Sequence, residues 1–435
     1  MKTVNSLFLC VLFVVTLGLY AAAQSGSLDS TFGNGGFVVT SVNFNTQAGW
    51  ASDVAVQPDD KIVVLAESYN YGSTTARDFY VLRYNSDGSL DTTFGSGGVT
   101  RFAFTTTADN ESPTSVALQP DGKILVGGYI HQLSIAAVAR LNTDGSLDNS
   151  FGSGGKLTFQ FVNRDASAVQ AMAVQSDGKI MLGGNSTGKK YGFARLNANG
   201  SFDTSFNGTG KLAVTHTLKS GGDGGMVDLT IQPDGKYLAS GYNGGASKTP
   251  RSWTLMRVNT NGSMDTGFGS SGTATTVFSG TTWSNARHVF VLPDGKILAG
   301  GDLLISPYSS WVFIRYLSNG QLDTSFGSGG KIVMPSGGSS RVEGMAIQAD
   351  GKFVGSGWWR DVNVGGMDVM MMRLNPDGTV DSGFGTGGFT FTDYNGMDDA
   401  GYSMAVQSDG KFVLAGIING YSATTSSIGL YRYLP

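Results

Sequence analysis

The chain has 435 residues, only 14% of them charged, and a formal net charge of −4, so nothing in its balance suits a nucleic-acid partner. Its one cysteine, Cys10, lies in the apolar N-terminal segment, which excludes a disulfide framework for everything after it. Glycine accounts for 65 residues, about twice the usual share of roughly 7%, and its periodic recurrence points to tight turns instead of disorder.

Met1 to Ala23 carries one lysine, an apolar core from Leu7 to Tyr20 and the small residues Ala21-Ala22-Ala23. That is the pattern of a secretory signal peptide, residues 1–23, and its core is too short for a membrane span. Cys10 sits inside the core and not after it, so a lipid-modified cysteine is not expected. No later segment reads as a span. The expected product is a secreted chain, extracellular or periplasmic, of about 412 residues that packing alone must hold together.

From residue 57 onward one unit is rewritten seven times. Its clearest copy is Gln119-Pro120-Asp121-Gly122-Lys123-Ile124-Leu125-Val126-Gly127-Gly128, and its lysine recurs as Lys61, Lys123, Lys179, Lys236, Lys296, Lys352 and Lys411. A recurring period of this size marks a repeat architecture. Apolar runs flank each Pro-Asp-Gly. Proline sets the first corner and glycine takes the left-handed position, which closes a three-residue hairpin between two strands. The first copy has Asp60 in place of that glycine.

A third strand ends on an arginine (83, 140, 195, 257, 315, 373 and 432), and a second turn follows, as in Ser86-Asp87-Gly88. In six copies an aspartate lies eight residues after the arginine: Asp91, Asp148, Asp203, Asp265, Asp323 and Asp381. With Ser86-Asp87-Gly88 as the loop, Arg83 faces Asp91 across the hairpin, a structural ion pair. A Phe-Gly and a fourth strand complete the unit.

Four short strands repeated seven times predict an all-β fold, a single seven-bladed β-propeller of four-stranded antiparallel blades over residues 24–435. The chain opens with Leu28-Asp29-Ser30-Thr31-Phe32-Gly33, which no arginine precedes, and stops after a third strand at Arg432. Residues 24–41 are therefore expected to complete the last blade and close the ring, with Asp29 as the partner of Arg432. The Asp-Gly-Lys, Arg-Leu-Asn and Leu-Asp-x-x-Phe-Gly patterns together resemble the delta-60 repeats of bacterial exported proteins. That resemblance implies a propeller and export, and no activity.

Several motif matches are by-products of the repeat. Gly267-Phe268-Gly269-Ser270-Ser271-Gly272 and Gly383-Phe384-Gly385-Thr386-Gly387-Gly388 fit GxGxxG without opening a helix. Gly184-Asn185-Ser186-Thr187-Gly188 fits GxSxG, also without a helix. The second turn resembles a calcium loop, but its middle carboxylate becomes Asn199, Asn261 and Asn319 in other copies; a turn tolerates that exchange and a cation site does not. Neither a metal nor a cofactor is expected.

His288 stands beside Arg287, at a position where other copies have Asp53 and Asp228. With the first strand of each unit innermost, these three face the mouth of the central channel and are the candidate acid–base groups. The six tryptophans, Trp50, Trp253, Trp283, Trp311, Trp358 and Trp359, fall in or beside the variable connections on the face opposite the Asp-Gly turns. The same face carries Asp109, Arg251, Asp302, Arg360, Asp361, Asp393, Asp398 and Asp399. Aromatic plates beside carboxylates suit sugars, and exposed aromatics suit protein partners. The leading reading is a monomeric exported binding module for an extracellular glycan or protein. The alternatives are a channel-mouth hydrolase or lyase and a passive structural surface protein.

Overall fold

The computed structural model describes residues 24–41, 48–69, 77–106, 109–187, 190–215, 223–244, 251–278, 281, 283–334, 338–361, 365–418, 420 and 427–435. The signal peptide expected at residues 1–23 lies outside them. The described residues form seven four-stranded antiparallel sheets and no helix. In six sheets the strands follow chain order. The seventh pairs Ala400–Val406, Phe412–Ile418 and Ser427–Tyr433 with Phe37–Thr40 from the front of the chain. The result is a seven-bladed β-propeller.

Its core is distributed in seven layers, one between each pair of neighbouring blades. Both faces of a blade are covered, so its middle strands read as nearly continuous apolar runs; Phe79–Tyr84 is buried at every residue. The layer between the last and first blades joins Phe32, Val413, Ala415, Ile428 and Leu430 to Ala51, Val54, Ile62 and Val64. It is built like the others, so the seam is a packed interface.

The Asp-Gly turns have the geometry the residues demand. Gly122 has φ of 81° and Asp60 has φ of 61°, both left-handed. At the second turn the Asp87 side chain accepts from Ser89 N and Oγ, and Asn199 accepts from Ser201 in the same way. The exchange of Asp for Asn leaves the turn unchanged.

The hairpin register also follows. Asp91 N donates to Arg83 O, and Arg83 Nε donates to Asp91 Oδ2 at 2.7 Å. The structure adds three partners. Lys61 Nζ lies 2.9 Å from the same oxygen, the Arg83 guanidinium stacks on Phe94 at 4.6 Å, and Arg83 Nη1 donates to Thr143 O in the next blade. The repeat arginine is thus a staple between blades. At the seam, Arg432 and Lys411 both pair with Asp29, at 2.9 and 3.2 Å, and Arg432 reaches Ser86 of the first blade. Burial alone would raise the Asp91 carboxyl; hydrogen bonds from Thr93 and Lys61 and the Arg83 charge hold it below the usual range.

Candidate functional site

The inner strands of the seven blades are Ala48–Val56, Glu111–Leu118, Ser167–Val174, Asp223–Ile231, Trp283–Val291, Gly338–Ile347 and Ala400–Val406. Every one of them carries a β-bulge at the same height, such as those between Ala51 and Asp53 and between Ala286 and His288. The bulge supplies one unpaired residue per blade: Ser52, Thr114, Gln170, Val227, Arg287, Glu343 and Tyr402. A bulge re-aims side chains at a barrel rim. All seven line one axial cavity of about 670 Å³, together with Trp50, Asp53, Asp228 and His288.

The bulge also settles the three acid–base candidates. Asp53, Asp228 and His288 each follow it by one position, so their sequence equivalence is real, and His288 lies within the inner strand instead of before it. Asp53 accepts from Val54 N of its own strand, from Val116 N of the next blade, and from Ser403 Oγ of the preceding one. Asp228 accepts from Leu229 N and from Val289 N of the following blade. Both carboxylates therefore tie neighbouring inner strands together. His288 Nδ1 is 4.0 Å from Asp228 Oδ2.

About a quarter of the Asp228 and His288 side chains reaches the channel, 27% and 24%. The channel wall removes the rest of their hydration. Burial pushes Asp53 up to about 6 and Asp228 to about 7, against their backbone hydrogen bonds; the Asp53 charge adds slightly to the second. Burial and then the Arg287 charge push His288 down to about 4, against a backbone hydrogen bond at Glu343. Near neutral pH His288 is uncharged, and the two aspartates titrate. Among the described residues no group of three or more His, Cys, Asp and Glu is arranged to hold a metal ion.

The tryptophans separate into two classes. Trp253 and Trp311 are fully buried and pack edge-on against Phe278 and Phe313, at 5.8 and 6.4 Å. Neither can meet a ligand, which corrects the expectation for both. Each stands four residues before a repeat arginine, the place that Phe79, Ala136, Tyr191, Val369 and Ile428 hold in the other blades, buried every time. The six rings are also carried by strands, not by the connections themselves.

The other four reach the surface. Trp50 lines the axial cavity. Trp283 is 38% exposed, and the Arg251 guanidinium lies 4.4 Å from its ring and 4.4 Å from Tyr242. Trp358 is half-buried, donates to Glu343 Oε1 at 3.3 Å, and has Arg341 over its ring at 5.6 Å. Trp359 packs edge-on against the exposed Phe391 at 5.3 Å. Arg287 spans the junction between these groups: it pairs with Asp302 in its own blade and, at 3.1 Å, with Glu343 in the next. Position in the sequence did not reveal Arg287 and Glu343 as the centre of this cluster, because the bulge that exposes them has no residue signature.

Six stretches, residues 57–94, 119–151, 175–206, 232–268, 292–326 and 348–384, match the model of a family described as a domain of unknown function (DUF5122) β-propeller. Each match ends on the phenylalanine beneath a repeat arginine. The seventh copy of that path is split between the two ends of the chain. No curated protein matches the chain in sequence. In fold it is similar to a virginiamycin B lyase from Staphylococcus aureus, solved as an inactive variant with quinupristin. That match has 10% identity, covers 92% of this chain and 100% of the other, and has a TM-score of 0.50. It is also similar to a polysaccharide lyase, with 11% identity, 88% and 90% coverage and a TM-score of 0.50. At such identity the likeness is one of fold.

Proposed function

Because the chain belongs to this DUF5122 β-propeller repeat family, whose description assigns no activity, we propose its role from its own geometry: an exported binding module. Its ligand, a glycan or a protein segment, sits on the variable face over the mouth of the axial cavity. The observation that carries the reading is the gathering of Trp50, Trp283 and Trp358 with Arg251, Arg287, Arg341 and Glu343 at one end of the ring. Large rings with a polar rim supply contact area at low cost in side-chain entropy. Export follows from the signal peptide read at residues 1–23, and N-terminal sequencing of the secreted protein tests it.

Binding is tested by screening the intact protein against a glycan array and envelope extracts, then following tryptophan emission. Trp283→Ala and Trp358→Ala should weaken binding about tenfold with an unchanged melt. Emission that no glycan or extract shifts would defeat the reading. A second reading, an acid–base hydrolase or lyase, is supported by Asp228 and His288 at 4.0 Å in one cavity. It requires Asp228→Asn to abolish turnover of a ligand that the variant still binds.

A further inference from the structure

The wall of the axial cavity carries an unbalanced charge. Its acidic and basic side chains are Asp53, Asp228, Arg287, His288 and Glu343, and among the described residues no other lines it. Arg287 is taken up by Asp302 and Glu343, and Arg341 beside it also pairs with Glu343. Those four, two of each sign, cancel. His288 is uncharged near neutral pH, which leaves Asp53 and Asp228, from the first and fourth blades, without a cation. Burial raises both carboxyls, and no positive charge enters to lower either. Asp228 Oδ2 lies 4.0 Å from His288 Nδ1, beyond hydrogen-bonding distance, and each Asp228 oxygen accepts one backbone N–H. A carboxylate accepts about four hydrogen bonds, so open lone pairs remain on a side chain with 27% of its surface on the channel. The wall around it is polar and neutral at Ser52, Ser115 and Gln170, with Trp50 beside them.

We propose that the axial cavity takes the terminal amino sugar of a glycan, its free ammonium on Asp228 in the field of Asp53 and its hydroxyls on the polar wall. This rests on the binding-module reading and adds its ligand class. The chemistry selects that class on two counts. An ammonium brings three donors and no acceptor, and its charge-assisted hydrogen bond offsets the cost of an ionised carboxylate held away from water. A lysine stem would bring the same charge, but it would set methylenes against Ser52, Ser115 and Gln170. A sugar ring gives those side chains hydroxyls to bond and gives Trp50 a flat C–H face. The volume of about 670 Å³ lies within the usual range for small-ligand cavities, roughly 300–1,000 Å³, and admits a sugar ring. A cavity on the axis is entered from its mouth, so a chain end fits it, and the remainder of the glycan lies at the mouth with Trp283 and Trp358.

The test uses the intact protein and three probes: a glucosamine trimer, the same trimer fully N-acetylated, and trilysine. Calorimetry and tryptophan emission report binding. The free amine should bind and shift the emission, the N-acetylated trimer should bind at least tenfold more weakly, and added salt should weaken the amine alone. Asp228→Asn should lower affinity for the amine about tenfold without lowering the melt. Gln170→Glu adds a carboxylate to the wall without removing an inter-blade tie and should raise affinity several-fold; Gln170→Lys should abolish binding. A free-amine trimer that fails to bind, or an N-acetylated one that binds as tightly, overturns the ligand class and leaves the binding module standing. Amine binding that ignores both Gln170 variants overturns the cavity as its site. Trilysine binding as tightly as the sugar overturns the amino-sugar assignment. Failure of every glycan and envelope extract to bind overturns both proposals.

Discussion

The two faces of this propeller are built by different rules. On the turn face the same arginine, lysine, aspartate and phenylalanine return in blade after blade, and each set is consumed internally: Arg83, Lys61 and Asp91 answer one another, and the spare guanidinium nitrogen of Arg83 grips the next blade. On the channel and variable face the blades disagree. At the bulge one blade offers serine, another glutamine, another arginine, another glutamate. What repeats in this chain is what closes the ring, and the side chains that differ from blade to blade stand where the repeat lapses. The two faces should therefore respond differently to the same insult.

The largest expected effect comes from opening the ring. Removing residues 24–40 takes away the outer strand of the last blade, Asp29 beneath Arg432 and Lys411, and Phe32 from the seam. It leaves an unpaired edge and the buried Arg432 without its anion, while the part-exposed Lys411 keeps only Asp409. The truncated protein should aggregate or melt far below the intact one in size-exclusion and thermal assays. A truncated monomer with an unchanged melt would show that the turn-face staples do not depend on closure.

Next come the tryptophans, where one residue type sits in both settings. Trp311→Ala empties a fully buried site and should cost about 3–5 kcal/mol in urea unfolding. Trp283→Ala removes a ring already 38% exposed and should cost less than about 1 kcal/mol. Equal losses at the two sites would erase the distinction between core and surface rings.

That distinction was legible in part. The lysine and arginine positions, the Arg83–Asp91 register and the return of the first strand to the last blade all follow from local turn geometry, which short sequence spacing encodes. Lys61 joining Asp91 does not, because 30 residues of strand and connection separate them and only the blade's twist brings them together. Trp253 and Trp311 depart from the sequence expectation for a different reason. The position four before each repeat arginine is apolar in every copy, a signal for core, but the tryptophans also border variable connections, and the two signals conflict. The bulges, and with them Arg287 and Glu343 as neighbours, lie beyond pattern reading altogether, since an extra residue in one strand leaves alternation ambiguous.

Acidity separates the faces by sign. The staple carboxyls Asp91, Asp148, Asp203 and Asp323 titrate below their ordinary range, so their contribution is complete above about pH 4 and is lost as pH falls further. Asp53 and Asp228 are raised, to about 6 and about 7, so their contribution is complete below about pH 4 and is lost as pH rises through those values. Stability should decline between about pH 4 and 7.5 by up to about 3 kcal/mol through Asp53 and about 4 kcal/mol through Asp228. Asp228→Asn should match the parent at pH 4 and exceed it at pH 8. A variant less stable than the parent at pH 8 would mean that the ionised form is the better inter-blade tie.

The smallest effect sits where the turn face departs from its own rule. Asp60 replaces the turn glycine, at φ of 61°, in the first blade, which adjoins the seam. Its carboxylate accepts from Ser408 N at 2.7 Å and from Ser408 Oγ, and its carbonyl accepts from the Gln407 amide, both residues of the last blade's turn. Aspartate tolerates the left-handed region at about 1 kcal/mol, and a glycine there would give back a similar amount in unfolded-state entropy, so the backbone terms nearly cancel. The two side-chain hydrogen bonds then decide the sign; being exposed, they are worth about 1 kcal/mol together. Asp60→Gly should destabilise by about 0.5–1 kcal/mol. Gly122→Asp, placed in the second blade's turn where a Cβ meets Thr143 at 3.0 Å, should destabilise by about as much. If Asp60→Gly instead raised the unfolding midpoint, the clasp would be idle and the exception at the seam a tolerated strain.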